Sequence, residues 1–172
     1  MEMFKHVSIR GRIAYLICSF EKLLLHYDCD INDWKALIEK LWSYTSIEFL
    51  DDWLYELAEY MPNTILEDNF EDAEYITIDE FVRYKKIYKK TNHDVLIFLE
   101  IIFKCGTYDL YSKLYNYSPD TLYKMKEAIN ILNKNNIDLV DVEPFKKYVF
   151  NVNNGWGDPF DGDILSVIIN NF

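Results

Sequence analysis

The chain has 172 residues, of which 50% are hydrophobic and 17% aromatic, and its formal net charge is −11 at pH 7. This length and composition are typical of one folded domain with a buried core, and they exclude an intrinsically disordered protein. The negative charge repels nucleic-acid phosphates, so direct binding of DNA or RNA is disfavoured.

The first predicted element is a helix that loosely resembles a secretory signal. Arg10 and Arg12 precede the apolar run IAYLIC, but Glu21 and Lys22 interrupt the pattern. We interpret the segment as an amphipathic helix. The apolar runs of the chain are far shorter than the roughly 20 residues that span a bilayer. These features predict a soluble, cytoplasmic protein without a membrane segment.

Three hydrophobic stripes with helical spacing predict the first three helices. Asn32 is the N-cap candidate of the second helix, and Pro62 ends the third. The stripes are Ile13, Leu16, Ile17, Phe20, Leu23, Leu24 and Tyr27; then Trp34, Leu37, Ile38, Leu41 and Trp42; then Ile47, Leu50, Leu54, Leu57 and Met61.

The later helices are predicted from their caps. Thr77 and Glu80 have the spacing of a capping box, and Gly106 is a C-cap candidate after the apolar run VLIFLEIIF, which predicts a central helix. YDLYSKLYNY predicts a short helix. Ser118 and Pro119 open the next helix, which ends at Asn135–Asn136. The sequence thus predicts one compact all-α domain, residues 1–172, of about seven helices with an irregular C-terminal segment.

The stretch NNGWGDPFDGD, residues 153–163, is the main feature of that C-terminal segment. Its glycines, Gly155, Gly157 and Gly162, suit turns with positive φ, while Trp156 and Phe160 are expected to pack on the helices. Asp161 or Asp163 is the expected cap of the last helix, ILSVII. Alternatively, Asp158, Asp161 and Asp163 serve a metal-dependent or acid–base reaction.

No other catalytic or metal-binding pattern stands out. DCDINDWKALIE has acidic or amide residues at the first, third and fifth places of a calcium loop, but Asp33 replaces the required glycine. A helix N-terminus explains the same letters. The three histidines, His6, His26 and His93, and the three cysteines, Cys18, Cys29 and Cys105, lack metal-ligand spacing. The odd cysteine number favours reduced thiols. We predict no cofactor, no metal and no catalytic residue.

The acidity of the chain is concentrated in one block. Between Lys40 and Arg83 there is no lysine or arginine. Such a block attracts a basic partner and speeds the encounter with it. The twelve acids of the block are Glu48, Asp51, Asp52, Glu56, Glu59, Glu67, Asp68, Glu71, Asp72, Glu74, Asp79 and Glu80.

Part of this block forms a predicted binding surface. The acids of the third helix are expected on the face opposite its apolar stripe, with no cation to offset them. Aromatic residues of the types enriched in protein interfaces are interleaved with them, namely Trp53, Tyr55, Tyr60, Phe70 and Tyr75. The predicted binding residues are Glu48, Asp51, Asp52, Tyr55, Glu56, Glu59, Glu67, Asp68, Glu71, Asp72 and Glu74.

The sequence resembles a group of small bacterial immunity proteins of polymorphic toxin and contact-dependent growth-inhibition systems. The similarity lies in GRIAYLICSFEKLLLHY, KLWSYTSIEFLDDWLYELAEYMPNTIL and EPFKKYVFNVNNGWGDPFDG. The resemblance implies a protein that is not an enzyme and that binds a cognate toxin domain in the cytoplasm of the producing cell. Many such toxins are nucleases, whose basic surfaces an acidic ridge can occupy.

Two alternatives remain open from the sequence. The chain is a helical adaptor or structural protein whose acids serve solubility or another basic partner. Alternatively, it is a small metal-dependent hydrolase that uses Asp158, Asp161 and Asp163. The sequence leaves the identity of the toxin, its affinity and the oligomeric state undetermined.

Overall fold

A computed structural model describes residues 1–67, 70 and 73–171. Within these residues, seven α-helices of six or more residues and one of five residues surround a common core, which confirms the predicted all-α fold. They are α1 (Ile9–His26), α2 (Ile31–Ser43), α3 (Leu50–Ala58), α4 (Pro62–Glu67), α5 (Ile78–Tyr88), α6 (His93–Thr107), α7 (Pro119–Lys134) and α8 (Val167–Asn171). Short 3-10 turns lie at Glu2–Phe4, Glu143–Phe145, Asn153–Gly155 and Asp163–Leu165.

α6 is the central helix, as its apolar run predicts. It packs against α1, α3, α4 and α7. Phe98, Leu99 and Ile102 are completely buried. A helix enclosed by four others has to be apolar on nearly every side, which explains the lack of a clear polar face in VLIFLEIIF.

α1 is buried more extensively than the single predicted stripe indicates, because three charged side chains on it are also inside. Arg12 donates hydrogen bonds to the carbonyl oxygens of Phe4 and Lys5, both at 3.2 Å, and to Thr121 Oγ1 at 2.5 Å. Burial lowers the pKa of the Arg12 guanidinium to about 10, so it stays charged at neutral pH. Arg12 therefore ties the N-terminal turn to the first turn of α7.

Several predicted helix ends are confirmed and others are wrong. Thr77 and Glu80 form the predicted capping box. The N-cap of α2 is Asp30, whose carboxylate accepts from the Asn32 N–H at 3.1 Å, and not Asn32 itself. Gly106 is not a C-cap. It lies inside α6, where an added Cβ would stand 3.0 Å from Tyr44 and 3.1 Å from Trp53, so glycine serves close packing there.

The predicted helix YDLYSKLYNY is wrong, because residues 108–117 form turns at both ends and irregular backbone at 113–115. Ser112 Oγ donates to the backbone carbonyl of Asp109 at 3.1 Å, and such local side-chain bonds compete with helix formation. Ser118 is the residue before α7, as predicted, but it has φ +51° and makes no side-chain cap. Pro119 at the start of α7 and the end of α7 before Asn135 are confirmed.

Pro62 begins α4 in addition to marking the end of the α3 region. The proline suits the first turn of a helix, where its missing N–H is not needed. On α3, Trp53 and Leu57 are the buried residues, whereas Leu50 and Leu54 are only partly buried. The third predicted stripe is therefore shifted towards Trp53, which stacks on Phe103 of α6.

The C-terminal segment is held by backbone turns and ring contacts. Gly155 and Gly157 have φ of +99° and +81°, as predicted, whereas Gly162 has a negative φ and instead lies too close to Thr45 and Trp42 for a side chain. Trp156 packs against the core and Phe160 stacks on Tyr148 at 3.7 Å between ring centroids. These contacts confirm that both rings fasten the segment to the helices.

The predicted caps of the last helix are wrong. Val167 and Ile168 donate their backbone N–H groups to the carboxylate of Glu21 in α1, at 2.7 and 3.2 Å. Ser166 Oγ also donates to Glu21 and accepts from the Ile169 N–H. The sequence gives no local sign of this arrangement, since Glu21 lies 145 residues before Ser166.

No helix within the described residues has both the length and the apolar character that a membrane crossing requires. The only backbone pairing of β type in the same residues is an isolated antiparallel bridge between Val7 and Val149. Val149 lies in the segment KKYVFNV, residues 146–152, before the glycine-rich stretch.

Candidate partner-binding face

The predicted acidic ridge begins where the chain enters α3. Glu48 is exposed before the helix, and Asp51 and Asp52 are exposed in its first turn. Acids are favourable there because the helix N-terminus has a partial positive charge. Phe49 at the N-cap is 61% exposed and Tyr55 on the helix is 51% exposed, so two aromatic rings accompany these carboxylates.

Glu59 connects the ridge to the segment before α5. Its carboxylate accepts backbone N–H groups from Glu74, Tyr75 and Ile76 at 2.7–2.8 Å. This contact places the exposed side chains of Glu74 and Tyr75 beside α3. We define the acidic face as Glu48, Asp51, Asp52, Tyr55, Glu74 and Tyr75.

Two predicted binding carboxylates have structural partners instead of a free surface position. Glu59 is the one just described. Glu56 pairs with Lys40 of α2, whose ammonium also lies 5.0 Å from the centre of the Tyr60 ring. The expectation that the ridge has no cation to offset it is therefore wrong at Glu56, because the fold brings Lys40 across from the neighbouring helix.

The predicted interface rings also divide into two groups. Tyr55 and Tyr75 are exposed, but Trp53 and Tyr60 are in the core, and Phe70 is partly buried against Phe81. Trp53 donates its indole N–H to the Lys40 carbonyl at 2.9 Å. The interleaved aromatic residues thus divide between the core and the surface, and only Tyr55 and Tyr75 belong to the acidic face.

Two tyrosines at or beside the face have raised pKa values, for different reasons. The carboxylate of Glu74 raises the pKa of Tyr75, with smaller contributions from burial and from Asp52. Tyr111, from the turns after α6, lies with its hydroxyl oxygen 3.3 Å from that of Tyr55. This hydrogen bond is the main reason that the pKa of Tyr111 is raised to about 12.

The remaining predicted residues are separate from this cluster or lie outside the described part of the chain. Glu67 is exposed at the end of α4, a helix that packs on α5 and α6. Asp68, Glu71 and Asp72 lie outside the described residues.

Two exposed aromatic residues beside the acidic face, Phe49 and Tyr111, are not among the predicted binding residues. Phe49 could have been found from the sequence, because it is an aromatic residue directly beside the predicted Glu48. Tyr111 could not, because only the tertiary fold brings it to Tyr55.

The alternative sites have local structural roles. Asp30 caps α2, and Asp161 accepts the backbone N–H of Asp163 at 3.2 Å. Across residues 1–67, 70 and 73–171, no group of three His, Cys, Asp or Glu side chains has an arrangement that would hold a metal ion. Cys18, Cys29 and Cys105 are free thiols.

No protein-family model, curated protein or solved structure is detectably similar to this chain. The assignment to immunity proteins accordingly stays a prediction that rests on the sequence resemblance and on the chemistry of the acidic face.

Proposed function

We propose that this protein is an immunity protein, which binds and neutralises a cognate toxin domain through the acidic face. The supporting observation is the exposure of Glu48, Asp51, Asp52 and Glu74 together with the rings of Tyr55 and Tyr75, of which Tyr75 lies close enough to Glu74 and Asp52 for their charges to raise its pKa. The carboxylates attract a basic protein over distances near the Debye length of about 8 Å at physiological salt. The rings then supply contact area at close range.

A nuclease toxin fits this chemistry. A protein that binds nucleic acid needs lysine and arginine at its substrate surface. The carboxylates of the acidic face would occupy that surface in place of phosphates, so the chain acts by binding and not by catalysis. Neutralisation would take place in the cytoplasm of the producing cell, and the three free thiols are in keeping with a reducing compartment.

Co-expression with a toxin tests the proposal directly. The gene directly upstream of the one for this chain is the source of the test toxin. The C-terminal domain of the protein that it encodes is expressed in bacteria with and without this chain. We expect growth only when both are present, and we expect the two proteins to co-purify. Survival should be lost with the variant Glu48→Gln/Asp51→Asn/Asp52→Asn/Glu74→Gln, because it lacks the four carboxylates that would attract the toxin. The variant should still fold, because Glu56 and Glu59 are unchanged.

Two results would count against the proposal. Growth inhibition that the chain does not relieve would exclude neutralisation of that domain. An upstream reading frame without toxicity would favour the adaptor alternative, in which the acids serve solubility or another basic partner.

A further inference from the structure

Residues 108–117 contain an unusual concentration of exposed tyrosine. Seven of the 14 tyrosines of the chain are exposed, and four of these, Tyr108, Tyr111, Tyr115 and Tyr117, lie in this segment of ten residues. Tyr111 and Tyr115 are 72% and 65% exposed. Tyrosine is enriched at protein interfaces, and tyrosine accompanied by serine and asparagine is the composition of antibody binding loops. We name this segment the tyrosine loop.

The tyrosine loop is fixed to the core at its C-terminal end. Ser118 Oγ donates to the carboxylate of Asp109, which closes the loop across its base, and it also contacts Thr121 Oγ1 at 2.9 Å. Thr121 in turn accepts from the buried Arg12. Arg12 also donates to the Ser118 carbonyl at 3.4 Å. These side chains connect the loop to α1.

The backbone before α7 is strained. Asn116, Tyr117 and Ser118 have φ of +47°, +60° and +51°, so three consecutive residues with side chains adopt the left-handed conformation. Such residues normally occur singly. Strain of this kind persists only where surrounding contacts hold it, here the contacts of Ser118. A loop that is already fixed in one shape loses less entropy when it binds.

The tyrosine loop is continuous with the acidic face on one side. Tyr111 reaches the Tyr55 hydroxyl at 3.3 Å. On the other side, Ser112 to Leu114 face Phe150 and Trp156 across a cleft of about 560 Å³. The rings and the cleft therefore extend the acidic face towards the stretch NNGWG.

We propose that the tyrosine loop is the second part of the toxin-binding surface and that it determines how long the complex lasts. This inference rests on the proposed function and commits to the same basic partner. The loop has one acid, Asp109, and one base, Lys113, so it adds little to long-range attraction. Its rings act only when they are desolvated against the partner, and buried tyrosines are frequent hot spots of binding. Electrostatic residues chiefly set association rates, whereas packed rings chiefly set dissociation rates.

Binding kinetics test the division of roles. The upstream toxin domain, made inactive by mutation, is immobilised, and wild type, Tyr111→Ala, Tyr115→Ala and Tyr108→Ala are passed over it. We expect dissociation to become at least about tenfold faster for one or more loop variants, with association changed by less than about threefold. Tyr123→Ala removes a ring of comparable exposure, 59% on α7, and is the matched control. Unchanged melting temperatures establish that each variant is folded.

The outcomes separate the two proposals. If the wild type binds and every loop variant dissociates at the wild-type rate, the role of the tyrosine loop is wrong while the proposed function stands. If Tyr123→Ala speeds dissociation as much as the loop variants do, the proposed role of the tyrosine loop is also wrong. If the wild type does not bind, both proposals fail. If light scattering shows a dimer of this chain that the loop variants abolish, the loop binds a second copy instead of a toxin, and the inference is overturned.

Discussion

Asp52, Glu56 and Glu59 follow one another along the α3 region, and each carboxylate has a different environment. Asp52 is exposed in the first turn of the helix, Glu56 pairs with Lys40, and Glu59 accepts three backbone N–H groups from residues 74–76. The residue type alone does not distinguish these roles. The distinction decides which acids can be changed to test binding without changing the fold.

Removing the Glu59 carboxylate is expected to destabilise the protein. Glu59→Ala leaves the N–H groups of Glu74, Tyr75 and Ile76 without their acceptor; because water can reach the first two, the loss should be about 1–2 kcal/mol in the free energy of unfolding. Asp52→Ala, the control on the same surface, should cost less than about 1 kcal/mol. Denaturant unfolding followed by circular dichroism compares them, and equal losses would contradict a structural role for Glu59.

The pKa of Tyr75 reports the field of the acidic face. The raised pKa is due first to Glu74 and also to burial and Asp52. Negative charges disfavour the phenolate, so Glu74→Gln and Asp52→Asn should each lower the pKa of Tyr75 towards the ordinary value of about 10. Carbon NMR titration of the tyrosine Cζ atoms measures this. Asp158→Asn, a change outside the acidic face, should leave the titration of Tyr75 where it is.

Among the elements, α8 is the one that is least able to stand alone. It has five residues, and isolated helices shorter than about 12 residues are marginal in water. Its first N–H groups are satisfied by Glu21, whose carboxylate also accepts from Trp42 Nε1 at 2.9 Å. Glu21 thus joins α1, α2 and α8, and the buried charge is stabilised by four hydrogen-bond donors.

Glu21→Ala should release the C-terminal segment. The change leaves buried donors unpaired and should lower the free energy of unfolding by at least about 2 kcal/mol. Hydrogen exchange at residues 166–171 should accelerate more than exchange in α6, because local opening of α8 needs only the contacts that Glu21 holds. Glu39→Ala, an exposed acid of α2, is the control. Uniform acceleration along the chain would instead indicate global destabilisation.

For the whole molecule, the important property is the uneven distribution of charge. The segment between Lys40 and Arg83 contains twelve acids and no lysine or arginine. Four of these acids are exposed on the acidic face. An uneven field orients a basic partner before contact, which raises the association rate without adding any contact.

The association rate should therefore depend on the acidic face and on salt. Glu48→Gln/Asp51→Asn/Asp52→Asn/Glu74→Gln removes four negative charges, so the net charge changes from −11 to −7. At low salt, association with the proposed toxin partner should slow by about tenfold or more and become less sensitive to salt. Stopped-flow fluorescence measures the rate. The control Asp28→Asn/Glu39→Gln/Asp138→Asn/Asp158→Asn has the same net charge of −7 but keeps the acidic face. Equal slowing by the control would show that the association rate depends on net charge and not on the location of the carboxylates.

The sequence predicts most of the helical fold because its signals are local. The capping box at Thr77 and the apolar run of α6 depend on neighbours a few residues away, and both are confirmed. The failures involve contacts between distant residues. Glu21 caps α8 across the chain, and Gly106 is needed where Tyr44 and Trp53 meet α6. Periodicity does not contain that information.

The candidate site is predictable to the same extent. The exposure of Asp51, Asp52 and Tyr55 follows from helical periodicity. The pairing of Glu56 with Lys40 and the approach of Tyr111 to Tyr55 require the packing of α2 and of the tyrosine loop against α3. The sequence therefore indicates the acid block, while the fold determines which of its members remain free.

The tie between Glu59 and residues 74–76 also has a consequence for mutation of the acidic face. Glu59 holds residues 74–76 through three backbone hydrogen bonds and Glu56 pairs with Lys40, so replacing either carboxylate removes a contact within the fold. Glu48, Asp51, Asp52 and Glu74 carry no comparable duty, so mutation can vary them while the backbone beneath stays in place. Under the proposed function, single substitutions at these four positions would change which partner the acidic face fits, while Glu59 keeps the backbone of residues 74–76 in place beneath it.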